Sequence, residues 1–146
     1  MTKKLSDINL RELLLTFLLQ AKKHKVGRIH GRTKMQKIMF ILMNEFDLPQ
    51  KFNYFPYTHG PYSTSLQGDI DTLSTLGLIE EKTTHLFNFL RYEYSLTSEG
   101  ERVTKSLAET LDPTAIEIIG KMAGRAKELN RKKLESVIEE AYAYLE

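Results

Sequence analysis

The sequence predicts an α+β fold that is mostly helical, and three observations carry that expectation. Apolar residues recur at i, i+3, i+4 and i+7 over long stretches near both ends of the chain, the period of helices with one buried face. Shorter stretches around Lys51–Tyr57 and Arg91–Leu96 alternate instead, the period of half-buried strands. Between them, residues 57–81 read as a turn, a short helix, a glycine and the start of a strand.

Residues 7–24 form the first expected helix, capped by Ser6 or Asp7. Leu10, Leu13, Leu14, Phe17, Leu18 and Ala21 line one face, and Leu15 and Leu19 widen it, so this helix belongs at the centre of the core. Gly27 and Gly31 then mark a loop. Thr33–Gln36 has the spacing of a capping box, with a helix running on to about Asn44–Phe46. That helix is apolar nearly all round and needs cover on two sides.

After a break at Asp47–Gln50, Lys51–Tyr57 reads as a short edge strand, because Pro56 cannot donate to a ladder. Gly60-Pro61 makes a turn, and Ser63 caps a helix over 63–76 with Leu66, Ile70 and Leu73 on its buried face. Gly77 stops it in a left-handed conformation. Leu78-Ile79 is extended, Glu80–His85 a polar turn, and Leu86–Leu96 a strand with a bulge or a break near Leu90, where the alternation changes phase. Helix, glycine, strand, loop and strand make the second half of a winged helix-turn-helix, with a small antiparallel β wing.

Thr97 or Ser98 caps the next helix, with Val103, Leu107 and Leu111 on its face. Asp112-Pro113 starts another, with Ile116, Ile119, Met122, Ala123 and Ala126 as its stripe. Asn130 is the expected cap of a last helix whose stripe is Leu134, Val137, Ile138, Ala141, Tyr142 and Leu145. The expectation is one domain over 1–146, with a core at about 7–111 and a C-terminal helical extension at about 113–146.

Composition narrows the chemistry. The absence of cysteine removes thiolate catalysis, disulfides and Cys-based zinc sites, and fits a cytoplasmic protein. The longest apolar run, Leu13–Leu19, falls short of the ~20 residues a membrane span needs. Met1–Asp7 lacks the apolar stretch of a secretory signal. His24, His30, His59 and His85 show no metal-ligand spacing, and no nucleophile elbow accompanies His59, Ser63 and Asp69. No enzyme activity, cofactor or metal is expected.

Two binding readings remain open. Lys22, Lys23, Lys25, Arg28, Arg32, Lys34 and Lys37 form an acid-free basic cluster at 22–37 suited to phosphates, to which Gln67 and the wing residue Arg91 could add. Against it, the 63–76 helix carries no lysine or arginine and holds Asp69 and Asp71. The alternative is a protein partner bound through the aromatic Gly-Pro surface of Tyr54, Tyr57, His59, Pro61 and Tyr62. The stripe of the last helix either packs inward or pairs two chains into a homodimer.

Four stretches resemble one family. Arg32–Leu42, Tyr57–Ser63, Asp69–Ile79 and Tyr94–Gly100 are similar to the YwgA-like group of bacterial and archaeal proteins, itself related to the Panacea (SocA-like) antitoxin domain. The shared marks are the Gln36-Lys37 pair and the Gly60-Pro61 turn; the residue before Gly-Pro is commonly tyrosine in that group and is His59 here. The resemblance implies a winged-helix type, an antitoxin-like or adapter role exercised on a toxin or a protease, and no catalytic residues.

Overall fold

The computed structural model describes residues 2–26, 29–49, 53–55, 60–86 and 89–145. In order, they form α1 (Leu10–Lys23), β1 (Ile29–His30), α2 (Arg32–Glu45), α3 (Thr64–Thr75), β2 (Ile79–Leu86), β3 (Phe89–Leu96), α4 (Ser98–Ala108), α5 (Pro113–Arg131) and α6 (Leu134–Ala143). The fold is α+β and mostly helical.

Several helix ends lie where local chemistry demands. Thr97 accepts the Gly100 N–H, Asp112 the Ala115 N–H ahead of Pro113, and Ser63 the Leu66 N–H. Gly77 takes φ +76 beyond the end of α3. Other ends differ from expectation. Neither Ser6 nor Asp7 caps α1; Asn9 does, accepting from the Glu12 N–H while Glu12 accepts from the Asn9 N–H. That reciprocal box satisfies two end groups at once. The Thr33–Gln36 box does not form, because α2 already starts at Arg32 behind Gly31 and Gln36 is committed elsewhere. Asn130 does not cap α6; it lies buried in the last turn of α5, and α6 follows Lys133 without a side-chain cap.

The sheet is antiparallel and three-stranded, in the order β1-β3-β2. β2 and β3 pair without interruption from Ile79↔Leu96 to Leu86↔Phe89. The expected turn at Glu80–His85 is therefore strand; of the bulge or break expected near Leu90, the bulge is absent, since Leu90 pairs in register with His85, and the strand break falls between Leu86 and Phe89. Lys82, Thr83 and His85 are exposed, so this part of the hairpin meets solvent and needs no apolar face. The expected strand at Lys51–Tyr57 falls largely outside the described residues; its described part makes only an isolated bridge, Phe55↔Tyr62.

A continuous apolar core takes residues from α1, α2, α3, all three strands, α5 and α6. Leu13, Leu14 and Phe17 of α1 and Ile38, Met39, Ile41 and Leu42 of α2 are fully enclosed. α5 packs on α1 and α2, and α6 on α2, which supplies the cover an apolar helix requires. Ile119, Met122, Ala126 and Leu129 of α5, with Val137 and Ala141 of α6, lie in this same core. Among the described residues no helix is long and apolar enough to cross a membrane.

Candidate functional site

The basic cluster at 22–37 is divided by the fold. Lys22 stands on the surface and bonds Glu101 of α4 at 2.6 Å. Lys23 and Lys25 are exposed at the end of α1, and Arg28 lies outside the described residues. Arg32 bonds Glu81 of β2 at 2.9 Å and stacks 4.0 Å above the Tyr92 ring. The Glu81 hydrogen bond holds that guanidinium above its ordinary pKa, against a smaller effect of burial.

Lys34 and Lys37 point into the protein. Lys34 donates to the carbonyls of Asn130 at 2.7 Å and Lys132 at 2.6 Å, neutralising the negative end of the α5 dipole. Lys37 is only 1% exposed. Its Cε sits 3.0 Å from where a Cβ on Gly60 would stand, and its Nζ lies 5.9 Å from the Tyr62 ring centroid. Burial pushes the amine down to about 8. The sequence did hold a signal for both lysines: a helix apolar nearly all round leaves no wet face for a polar side chain to occupy.

Gln36 ties α2 to the start of α3. Its amide donates to the Ser63 carbonyl and accepts the Ser63 N–H, each at 2.8 Å and fully buried. Ser63 Oγ in turn accepts from Leu66 N–H at 3.1 Å. Three polar side chains of α3 are engaged within the molecule. Gln67 donates to Asp71 at 2.9 Å, and Asp69 accepts from Arg11 of α1 at 2.9 Å. The Arg91 side chain, Tyr57 and His59 lie outside what is described.

The Gly60-Pro61 turn is enclosed rather than exposed. Gly60 has φ +98, a conformation that disfavours any side chain, and Lys37 and Ile138 of α6 close over its missing Cβ. Phe55 and Tyr62 pair across two backbone hydrogen bonds, with ring centroids 5.8 Å apart and Phe55 exposed. Tyr54 instead turns inward, edge-on to Phe40 at 4.8 Å. Its buried hydroxyl has no hydrogen-bond partner among the described residues, and burial raises its pKa.

The stripe of α6 is split. Val137 and Ala141 are fully enclosed against the core, and Ile138 is half-buried beside Gly60. Leu134, Tyr142 and Leu145 are about two-fifths exposed, as is Tyr144. With the i, i+4 spacing of a helix, Leu134, Ile138 and Tyr142 form a strip, and Ile138 at its middle stands against Gly60. Arg125 of α5 braces the arrangement, bonding Glu45 of α2 at 2.9 Å and Glu140 of α6 at 2.7 Å. Lys132 also pairs with Glu140. Elsewhere, a half-open cavity of about 430 Å³ lies between α1 and the sheet, lined by Leu18, Ala21, Lys22, Lys25 and Tyr94 among others.

No protein-family model matches the chain. It is 36% identical over 75 residues to the Uncharacterized protein YwgA of Bacillus subtilis (strain 168). The match takes in 51% of this chain and 44% of that protein, so the chain spans less than half the length of this relative.

Proposed function

We propose that this chain is a winged-helix-type, non-enzymatic member of the YwgA-like group, related to the Panacea domain, that acts as an antitoxin-like or adapter module on a protein partner. The observation that carries the reading is the apolar strip of Leu134, Ile138 and Tyr142 on α6, of which Ile138 meets Gly60, in a chain that also exposes Phe55 of the Phe55–Tyr62 ring pair. Exposed aromatics of this kind are favoured at protein interfaces. In the winged-helix reading, α2 and α3 stand for the helix pair and the β2–β3 hairpin for the wing.

The nucleic-acid reading has less to stand on. Four cations of the cluster, Lys22, Arg32, Lys34 and Lys37, are paired or buried, and α3 offers acids and hydroxyls where a groove reader needs guanidinium. With 21 basic against 19 acidic residues, the chain has little net field to steer it to a polyanion.

A photo-crosslinking amino acid at Tyr142, compared with one at Glu117 on the outer face of α5, tests the proposal in cells of the source organism. The expected result is one discrete heterologous protein joined from Tyr142 only and lost on Phe55→Ala. Cross-linking to a second copy of the chain would replace the adapter with a homodimer. Binding of random duplex at low salt that weakens on Lys23→Ala and Lys25→Ala, with no cross-linked protein, would overturn the reading in favour of nucleic acid.

A further inference from the structure

Lys25 occupies a backbone position that lysine rarely fills. α1 ends in a Schellman motif: the Val26 N–H reaches back to the Ala21 carbonyl at 2.9 Å, and the Lys25 N–H to the Lys22 carbonyl at 3.1 Å. The residue between the cap His24 and Val26 is then left-handed, and Lys25 has φ +56. Glycine is the usual occupant, because a Cβ is disfavoured there. Residues held in such conformations cluster at ligand sites. Lys25 lines the half-open cavity of about 430 Å³ between α1 and the sheet.

That cavity has two sides of different character. Leu18, Ala21 and Tyr94 are buried and form its inner wall with Leu96, an apolar surface that includes an aromatic ring. Lys22 and Lys25 are exposed and stand on its open side. Lys22 is held by Glu101 of α4, whereas among the described residues no carboxylate pairs with Lys25. Lys25 is thus the cation left to answer a ligand. Glu80 and Ser95 line the strand side, where the Glu80 carboxylate opposes any second negative charge on a molecule that enters.

We propose that this cavity binds a small organic monocarboxylate, whose apolar body lies over Leu18, Ala21, Leu96 and the Tyr94 ring and whose carboxylate pairs with Lys25. The volume lies in the range of small-molecule sites, and apolar walls with a few charged groups are their usual lining. Charge sets the class: one uncommitted ammonium matches one carboxylate, and Glu80 disfavours phosphate monoesters and dicarboxylates. Among the described residues α6 contributes nothing to the lining, so the site stands apart from the protein-partner reading.

The test titrates the full chain at neutral pH with phenylacetate, phenylacetamide and acetate, reading backbone amide resonances. Phenylacetate is expected to shift Ala21, Lys25 and Leu96. It should bind at least about tenfold tighter than phenylacetamide, which lacks the charge, or acetate, which lacks the apolar body. Lys25→Gly is expected to erase the preference for acid over amide while raising the thermal midpoint by about 2–4 °C, since glycine suits the left-handed cap. Lys25→Gln keeps a side chain on the same backbone and should erase the preference without raising the midpoint. Both changes lie on the surface, outside the core, and leave the fold intact. Acid and amide binding alike, acid binding unchanged in either variant, or shifts confined to other parts of the chain would overturn the site. A Lys25→Gly protein that is more stable and binds phenylacetate as wild type does would reduce Lys25 to an ill-suited cap and overturn its role.

Discussion

Gln36 shows how much one side chain settles. Its amide closes both backbone groups of Ser63 in a dry interior, so Gln36→Leu strands a donor and an acceptor together. The expected loss is about 2–4 kcal/mol in urea unfolding, because orphaned buried groups cost more than a lost bond. Lys37 has a different signature. Its amine is held near 8 against an ordinary 10.5, so the unfolded chain binds more protons between those values and stability rises with pH across that window. Lys37→Met should therefore stabilise the protein relative to wild type at pH 6.5, with the advantage shrinking by pH 9.5. Guanidinium unfolding of both proteins at the two pH values checks this; an unchanged difference would mean the amine is not desolvated. The sequence pattern marked Gln36 as polar and well placed for a cap but could not reveal its tertiary partner, since Ser63 lies 27 positions away. Only helix ends satisfied within a few residues are legible locally.

At the scale of elements, α3, α4 and the start of α5 were readable because Ser63, Thr97 and Asp112 each cap within three residues. The hairpin was not. Its Glu80–His85 stretch is polar because solvent meets it, and polarity without alternation reads as a turn. Two element contacts carry predictions. A Cβ on Gly100 would stand 1.9 Å from the Leu78 carbonyl, so α4 can lie against the start of β2 only with glycine there. Gly100→Ala should cost about 3 kcal/mol or more and lower the thermal midpoint accordingly. Arg125 joins α2, α5 and α6 through Glu45 and Glu140 in a mostly buried position. Arg125→Met should cost about 1–2 kcal/mol, an amount between those of exposed and buried pairs, and a double-mutant cycle with Glu140→Gln should show coupling.

For the whole molecule, the stripes of α5 and α6 were legible, but which side of α6 would be covered was not. Helical period identifies a face, and only the position of α2 decides that Val137 and Ala141 turn inward while Tyr142 stays out. The same holds for the basic cluster: its six described cations, close together in sequence, are distributed by the fold among surface, ion pair and interior. A chain shortened to end at Lys132 should lose its cooperative unfolding transition and bind an apolar dye such as ANS while keeping most of its far-ultraviolet helix signal, as a core without its cover does. A sharp transition in the shortened chain would show that α6 is an appendage.

The cover over α2 also sets an order of events during synthesis. α2 leaves the ribosome about 100 residues before α6 does. At ~5–20 residues per second, the most deeply buried helix of the protein waits roughly 5–20 s for the element that shields it. Throughout that interval the nascent chain presents a greasy cylinder to its surroundings, and the quality of the folded product depends on what reaches that cylinder first.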